Sequence, residues 1–228
     1  MSPTLLHIDP IQRYLRGVVL CSVPERDHTI ALTFDDGPNP RNTPALLDLL
    51  DRKKVPATFF VLGKRLNRFG EISRRAHDAG HEIESHGYWH LPLPLMPNSM
   101  LRREIRRTGE AIEKWTGRRP RFFRPPMGWF SHRCLRVLED EGYQAVIGNI
   151  HPEDSRRPDP EVVLDRIRQR IAPGSIIILH DGGWRATVDR SPTIEAVDRL
   201  TDELGGAGYR FVTLEELVGL PGGASPVR

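Results

Sequence analysis

The sequence predicts a single-domain α/β protein whose parallel sheet of about seven strands is wrapped by helices. From Thr29 onward, short runs of β-branched and aromatic residues alternate with longer amphipathic stretches, which is the signature of repeated β/α units. No break in composition divides the chain after that point, so one domain accounts for it. Periodicity alone leaves open whether such units close into a barrel or spread as an open sheet.

The strand runs fall at 29–34, 57–61, 82–85, 122–124, 145–148, 175–179 and 209–212. Helical patterns lie between them at 43–51, 66–79, 99–115, 131–141, 160–171 and 191–204. Asn42 or Thr43 is placed to cap the first helix ahead of Pro44, and Pro160 suits the first turn of another. Gly80 and Gly142 follow helices where a left-handed residue costs little. The run Gly205-Gly206-Ala207-Gly208 reads as a turn, because a phosphate loop would follow a strand rather than precede one. Residues 1–28 are expected as an N-terminal segment packing on a domain of residues 29–220, and the Gly-, Pro- and Ser-containing stretch 221–228 as a flexible tail.

Composition narrows the function. Among 228 residues, 33 Lys+Arg oppose 30 Asp+Glu for a net charge of +3, with 38% hydrophobic and 28% charged residues. That balance excludes a disordered, collagenous or coiled-coil chain. The apolar run Ile176-Ile177-Ile178-Leu179 is far short of the roughly 20 residues a membrane helix needs, so no membrane span is expected. Met1 to Leu20 is interrupted by His7, Asp9, Gln12, Arg13 and Arg16, unlike a secretory leader, and the expected location is the cytoplasm, with an extracellular location as the alternative where a leader has been removed. Cys21 and Cys134 lack a CxxC spacing and read as packed thiols. Arg102, Arg103, Arg106 and Arg107 recur at helical spacing among Glu104 and Glu110, as on a solvated helix face, and without a nucleic-acid-binding motif no nucleic-acid partner is expected.

Four strand ends carry polar groups. After the first strand comes Thr33-Phe34-Asp35-Asp36-Gly37-Pro38, whose adjacent carboxylates need a cation or a shared proton. The third strand runs into Ser85-His86-Gly87-Tyr88-Trp89-His90, and the HxxxH spacing suits two ligands to one metal. Gly87 replaces the glutamate of an HExxH motif, so a base must come from elsewhere, and Asp35 or Asp36 is the supplier. His81 and His77 read as structural. In Phe123-Arg124-Pro125-Pro126-Met127-Gly128 two prolines leave the Met127 amide as the first free N–H of a rigid loop, and Arg124 can pair with one of the aspartates. Ile178-Leu179-His180-Asp181-Gly182 ends a strand on a titratable histidine suited to proton donation. The absence of GxSxG, P-loop and GxGxxG motifs disfavours serine hydrolases, nucleotide hydrolases and dinucleotide enzymes.

Together TFDDGP, HxxxH, RPPxG and LHD, in this order over about residues 29–217, resemble the polysaccharide deacetylases of the NodB homology domain, carbohydrate esterase family 4. The resemblance implies a distorted (β/α)7-type barrel and metal-dependent removal of N-acetyl groups from an N-acetylated glycan, such as a chitooligosaccharide or a peptidoglycan-like polymer. It makes Asp36, His86 and His90 the ligands of a divalent metal, usually zinc, with cobalt, manganese and nickel as alternatives. Asp35 becomes the general base oriented by Arg124, and His180 the general acid partnered by Asp154. The Met127 amide becomes an oxyanion donor beside Pro126, and Leu179 lines the acetyl-methyl pocket. Two departures stand out: Met127 replaces the aromatic of RPPYG, and Ser155 replaces the Trp after Asp154. The alternatives are an esterase or amidase acting on another acylated carbohydrate, and a glycan-binding pseudoenzyme.

Overall fold

The structure, a computed structural model, describes residues 19–24, 26–156, 159–185 and 187–219. The central strand β2 (Thr29–Gly37) is buried along its whole length, as a strand covered on both faces must be. Around it lie β1 (Val19–Leu20), β3 (Thr58–Val61), β4 (Glu82–Ser85), β5 (Phe122–Phe123), β6 (Gln144–Val146) and β7 (Ile176–His180). The order β1-β6-β5-β4-β3-β2-β7 is parallel throughout. Isolated bridges join Ile150 to Ile177 and Ser22 to Ser175, so the ends of the curled sheet meet through single contacts rather than a full ladder. That is the distortion of the barrel.

Seven strands on this path match the expected number, but not the expected membership. The run expected at 209–212 appears as β8 (Arg210–Phe211), which lies off the path and pairs only with Thr29 and Ile30 at the start of β2. Its place in the barrel is taken by Val19–Leu20, inside the segment assigned to the N-terminus. Two residues carry too little pattern to announce a strand. Residues 1–18 of that segment and the tail 221–228 lie outside the described residues.

Helices α1 (Asn42–Lys53), α2 (Gly63–Asp78), α3 (Asn98–Thr116), α4 (His132–Asp140), α5 (Pro160–Arg168) and α6 (Ser191–Gly206) pack outside the sheet, while α7 (Leu214–Val218) covers its inner face at the amino end, where Leu214 and Leu217 join Ala31, Phe60 and Phe122. The largest core cluster joins the outward faces of β2 and β7, through Leu32, Phe34, Ile177 and Leu179, to helical residues such as Leu46, Leu50, Leu164, Val197 and Leu200. Replacing Phe34 with Ala would cost about 3–5 kcal/mol. The cap of α1 differs from expectation: neither Asn42 nor Thr43 caps it, and the Asn39 carboxamide oxygen accepts from Arg41 N–H and Asn42 N–H instead. Pro160 does open α5, behind an Asp159 cap. Helix α6 continues through Gly206, and the turn falls at Gly208, whose φ is 84°.

At the amino end of the barrel, Glu82, Glu84 and Glu215 bring three buried carboxylates together. Glu82 Oε2 accepts from Thr58 Oγ1 at 2.7 Å and Leu214 N–H at 2.8 Å. Glu84 Oε2 accepts from Arg121 and Phe122 N–H at 2.9 and 2.6 Å. Arg118 donates to both Glu215 oxygens at 3.0 Å. His81 accepts from Ala57 N–H at 3.1 Å, and burial pushes its pKa down to about 4, a neutral structural histidine as expected. Cys21 and Cys134 are free thiols.

Candidate active site

The opposite, carboxyl end gathers the four sequence clusters. Successive strand residues point to opposite faces, so Asp35 and Asp36 would diverge in a regular strand. They do not, because the β2–β3 register shifts between Asp35 and Gly37 and Asp36 takes φ 72°. Such a bulge re-aims one side chain. The neighbouring loops press close: a Cβ on Gly37 would collide with the Asp181 carboxylate, and one on Gly182 with the Asp36 carbonyl.

Asp36 Oδ1 lies 3.3 Å from His90 Nε2 and 3.7 Å from His86 Nε2. Ligand atoms about 2.0–2.1 Å from a tetrahedral ion sit roughly 3.3 Å apart, so these residues fit a divalent cation. The hydrogen bonding agrees. His86 Nδ1 lies 2.8 Å from the Arg124 carbonyl, which can only accept, so the proton sits on Nδ1 and the Nε2 lone pair faces Asp36. Burial and the neighbouring His86 lower the His90 pKa, favouring the neutral ring. Burial works to raise the Asp36 pKa, but His86, His180, His90 and Arg65 outweigh it and hold the carboxyl below its ordinary value. An ionised carboxylate facing two imidazole Nε2 atoms, one of them on a ring whose Nδ1 is already bonded, is the donor set a metal requires. His90 also has a left-handed backbone, φ 59°, the kind of local strain that clusters at functional sites.

Asp35 stands beside this triad. Its Oδ1 accepts from Arg124 Nη1 at 2.6 Å, and the same nitrogen donates to Thr33 Oγ1 at 2.7 Å. Its Oδ2 is 4.0 Å from His86 Nε2. Arg124 is buried against the face of Phe60, 3.9 Å from the ring centroid. Across the sheet Asp35 is in register with His180, which places a carboxylate and an imidazole side by side. His180 Nδ1 donates to Asp154 Oδ1 at 2.8 Å, and His180 N–H to Asp154 Oδ2 at 2.9 Å. Burial opposes the imidazolium, but the charge and hydrogen bond of Asp154, with Asp35 and Asp36 behind it, push the His180 pKa up to about 9. The Ser155 substitution therefore leaves the aspartate–histidine pair intact, and the His151 ring lies edge-on to His180 at 5.8 Å.

One expected residue is misplaced. Leu179 is fully buried in the outer core with Phe34, its register partner, and does not line the site. The period of two assigns that face to Ile178, in register with Thr33, two residues before His180. Met127 sits with φ 59° in the turn Pro126–Gly128, half exposed beside a buried Pro126, and no acceptor among the described residues takes its N–H.

Other side chains at the site carried no motif. Glu104 on α3 accepts from the Tyr88 and Trp89 amides at 3.1 and 3.0 Å and so holds the backbone between the two histidines. Thr193 donates to Asp154 Oδ2 at 3.0 Å, and buried Arg190 donates to the Asp154, Ser155 and Gly182 carbonyls. In sequence Glu104 looks like one more charge on a solvated face. Its burial was the missing information.

A curled parallel barrel with a carboxylate–bis-histidine cluster at the carboxyl ends of its strands defines a hydrolase-type site. The family model for polysaccharide deacetylase matches residues 22–146, and the chain belongs to that family. It is 37% identical over 204 residues to a peptidoglycan-N-acetylglucosamine deacetylase of Bacillus cereus, covering 89% of this chain and 93% of that one. It is 35% identical to a chitooligosaccharide deacetylase of Sinorhizobium fredii, over 82% and 91% of the two chains. The crystal structure of the Bc1960 peptidoglycan N-acetylglucosamine deacetylase superposes with a TM-score of 0.86 at 29% identity, over 93% of this chain and 98% of that one. Among the described residues no helix is long and apolar enough to cross a membrane.

Proposed function

We propose that this protein hydrolyses the N-acetyl group of an N-acetylated amino sugar within an oligosaccharide, releasing acetate and leaving a free amine. The observation that carries the reading is the pairing of Asp35 with His180 in adjacent strands beside the Asp36–His86–His90 cluster. Relatives named for peptidoglycan N-acetylglucosamine and chitooligosaccharide substrates support the same glycan class.

Bound to Asp36, His86 and His90, a divalent cation, zinc by the donor set, would polarise the acetyl carbonyl and lower the pKa of a neighbouring water. The protein supplies the rest. Arg124 fixes one oxygen of Asp35 and leaves the other facing the histidines, where it takes the proton of the attacking water as general base. His180, charged at neutral pH through Asp154, hands a proton to the departing nitrogen, which could not leave as an anion. The Met127 N–H is the backbone donor for the oxyanion, a contact worth about 3 kcal/mol where such a donor is aligned. Ile178 forms the apolar wall on the site face of β7.

The test is acetate release from N-acetylglucosamine oligomers and from peptidoglycan fragments. The reading expects release that stops on chelation, returns with zinc, and falls by at least about a hundredfold in Asp35→Asn. Full turnover in both the chelated protein and that variant would overturn it.

A further inference from the structure

Helix α2 begins against the site. Gly63 and Lys64 N–H donate to the Gly87 and Tyr88 carbonyls at 3.0 and 3.2 Å, in the loop carrying His86 and His90, and Arg65 Nη2 donates to the Gly183 carbonyl beyond His180. Beside these loops runs a groove of about 540 Å3, within the range of ligand sites. Lys64, Arg65, Arg68 and Arg107 line it together with Trp89 and Trp184, and no acidic residue does.

None of these cations forms an ion pair among the described residues, although Asp36, Asp181 and Glu104 act through space on Arg65 and Lys64. By contrast, Arg102 and Arg106 on the same helix as Arg107 are tied to Asp140 and Glu141. The Arg107 guanidinium lies over Tyr88, 3.8 Å from its centroid, and Arg65, 7% exposed, keeps a buried Nη1 without a partner. Burial and the adjacent Arg65 charge hold the Lys64 ammonium below its ordinary pKa. Trp184, 84% exposed, and half-exposed Trp89 offer ring faces to sugars at the same place. Clustered, unpaired cations focus a field that draws anions, and adjacent exposed aromatics rimmed by polar groups mark ligand-binding grooves.

We propose that this groove is a subsite for an anionic substituent, a carboxylate or phosphoryl group, on the glycan next to the sugar being deacetylated. The protein then selects acidic over neutral glycans. The inference rests on the proposed function only for where the scissile sugar sits.

The experiment measures binding by the zinc-loaded Asp35→Asn protein, so that turnover does not enter. Its probes are four tetrasaccharides: neutral N-acetylglucosamine, the alternating N-acetylglucosamine–N-acetylmuramic acid form with free carboxylates, that form as its methyl ester, and a phosphorylated N-acetylglucosamine form. The free-carboxylate or the phosphorylated chain should bind at least about tenfold tighter than its uncharged counterpart, and whichever gains more names the group. The gain should fall below about threefold in 0.5 M salt, where screening acts within a few ångströms. It should fall likewise in Lys64→Gln/Arg68→Gln, and survive in Arg68→Lys. Equal affinities, a preference that persists in the double glutamine variant, or equal competition by sugar-free oligophosphate would overturn the proposal. Acetate release by the unmodified protein is read in parallel. An acidic-glycan preference with no acetate released would sink the deacetylase reading and leave the subsite standing.

Discussion

Each end of this barrel gathers three ligand-type side chains whose donor atoms lie within 4.8 Å of one another, yet their chemistry differs. At the carboxyl end two imidazoles meet one carboxylate, and the surrounding positive charges hold Asp36 below its ordinary pKa. At the amino end three carboxylates meet each other. Burial, reinforced by Glu215, pushes Glu82 up to about 7, and burial with Glu82 pushes Glu84 well above the usual range. The first cluster presents an ionised carboxylate and two imidazole nitrogens to a cation. The second stores protons and spends its remaining acceptors on Thr58, backbone amides and Arg118. Proximity of donors does not make a metal site; their charge and what else they bond to decide it.

The largest effect should come from the carboxyl-end ligands. His86→Ala or His90→Ala should lower kcat/KM by at least about a thousandfold and empty the site of metal. Asp35→Asn should cost about 10^2–10^4-fold in kcat while metal content by elemental analysis stays at the wild-type level, separating base from ligand. Loss of the metal in that variant would contradict the separation.

Asp154→Asn tests the proton donor. His180 must be protonated to act, so activity fades as pH rises through its pKa. Removing the Asp154 charge lowers that pKa from about 9, and the basic limb of the kcat profile should move to lower pH. A bound cation pulls the limb the same way. An unmoved limb would show that another group donates.

The amino end should act on stability rather than rate. A carboxyl whose folded pKa is raised above its unfolded value stabilises the protein fully below the unfolded value, and that stability is lost as pH rises through the folded pKa. For Glu82 the window runs from 4.5 to about 7, on the order of 3 kcal/mol. The wild-type Tm should therefore fall between pH 5 and pH 8, and Glu82→Gln should flatten that fall with little change in kcat. A wild-type Tm that rises across this window would refute the proton-storing role.

The sequence carried the site's first layer because its residues cluster in short motifs at strand ends. Asp35, Asp36, His86, His90, Arg124 and His180 all converge at the carboxyl end of the barrel. The residues that hold them were hidden by distance: Glu104 and Thr193 sit on helices and reach the site only once the chain folds. Leu179 failed on parity, since a continuous aliphatic run buried on both faces carries no alternation to show which residue looks inward. Strand β1 was too short to read, and β8 had the composition of a barrel strand without a place in the barrel. The bulge that turns Asp36 toward Asp35 has no signature beyond the two acids themselves.

The central claim is that only the mixed imidazole–carboxylate cluster takes a metal, and metal stoichiometry after dialysis against zinc tests it most directly. The account predicts one ion per chain in the wild type, one in Glu84→Gln, and none in His86→Ala/His90→Ala. Two ions in the wild type, or one ion that is lost with Glu84→Gln and kept without the histidines, would contradict it.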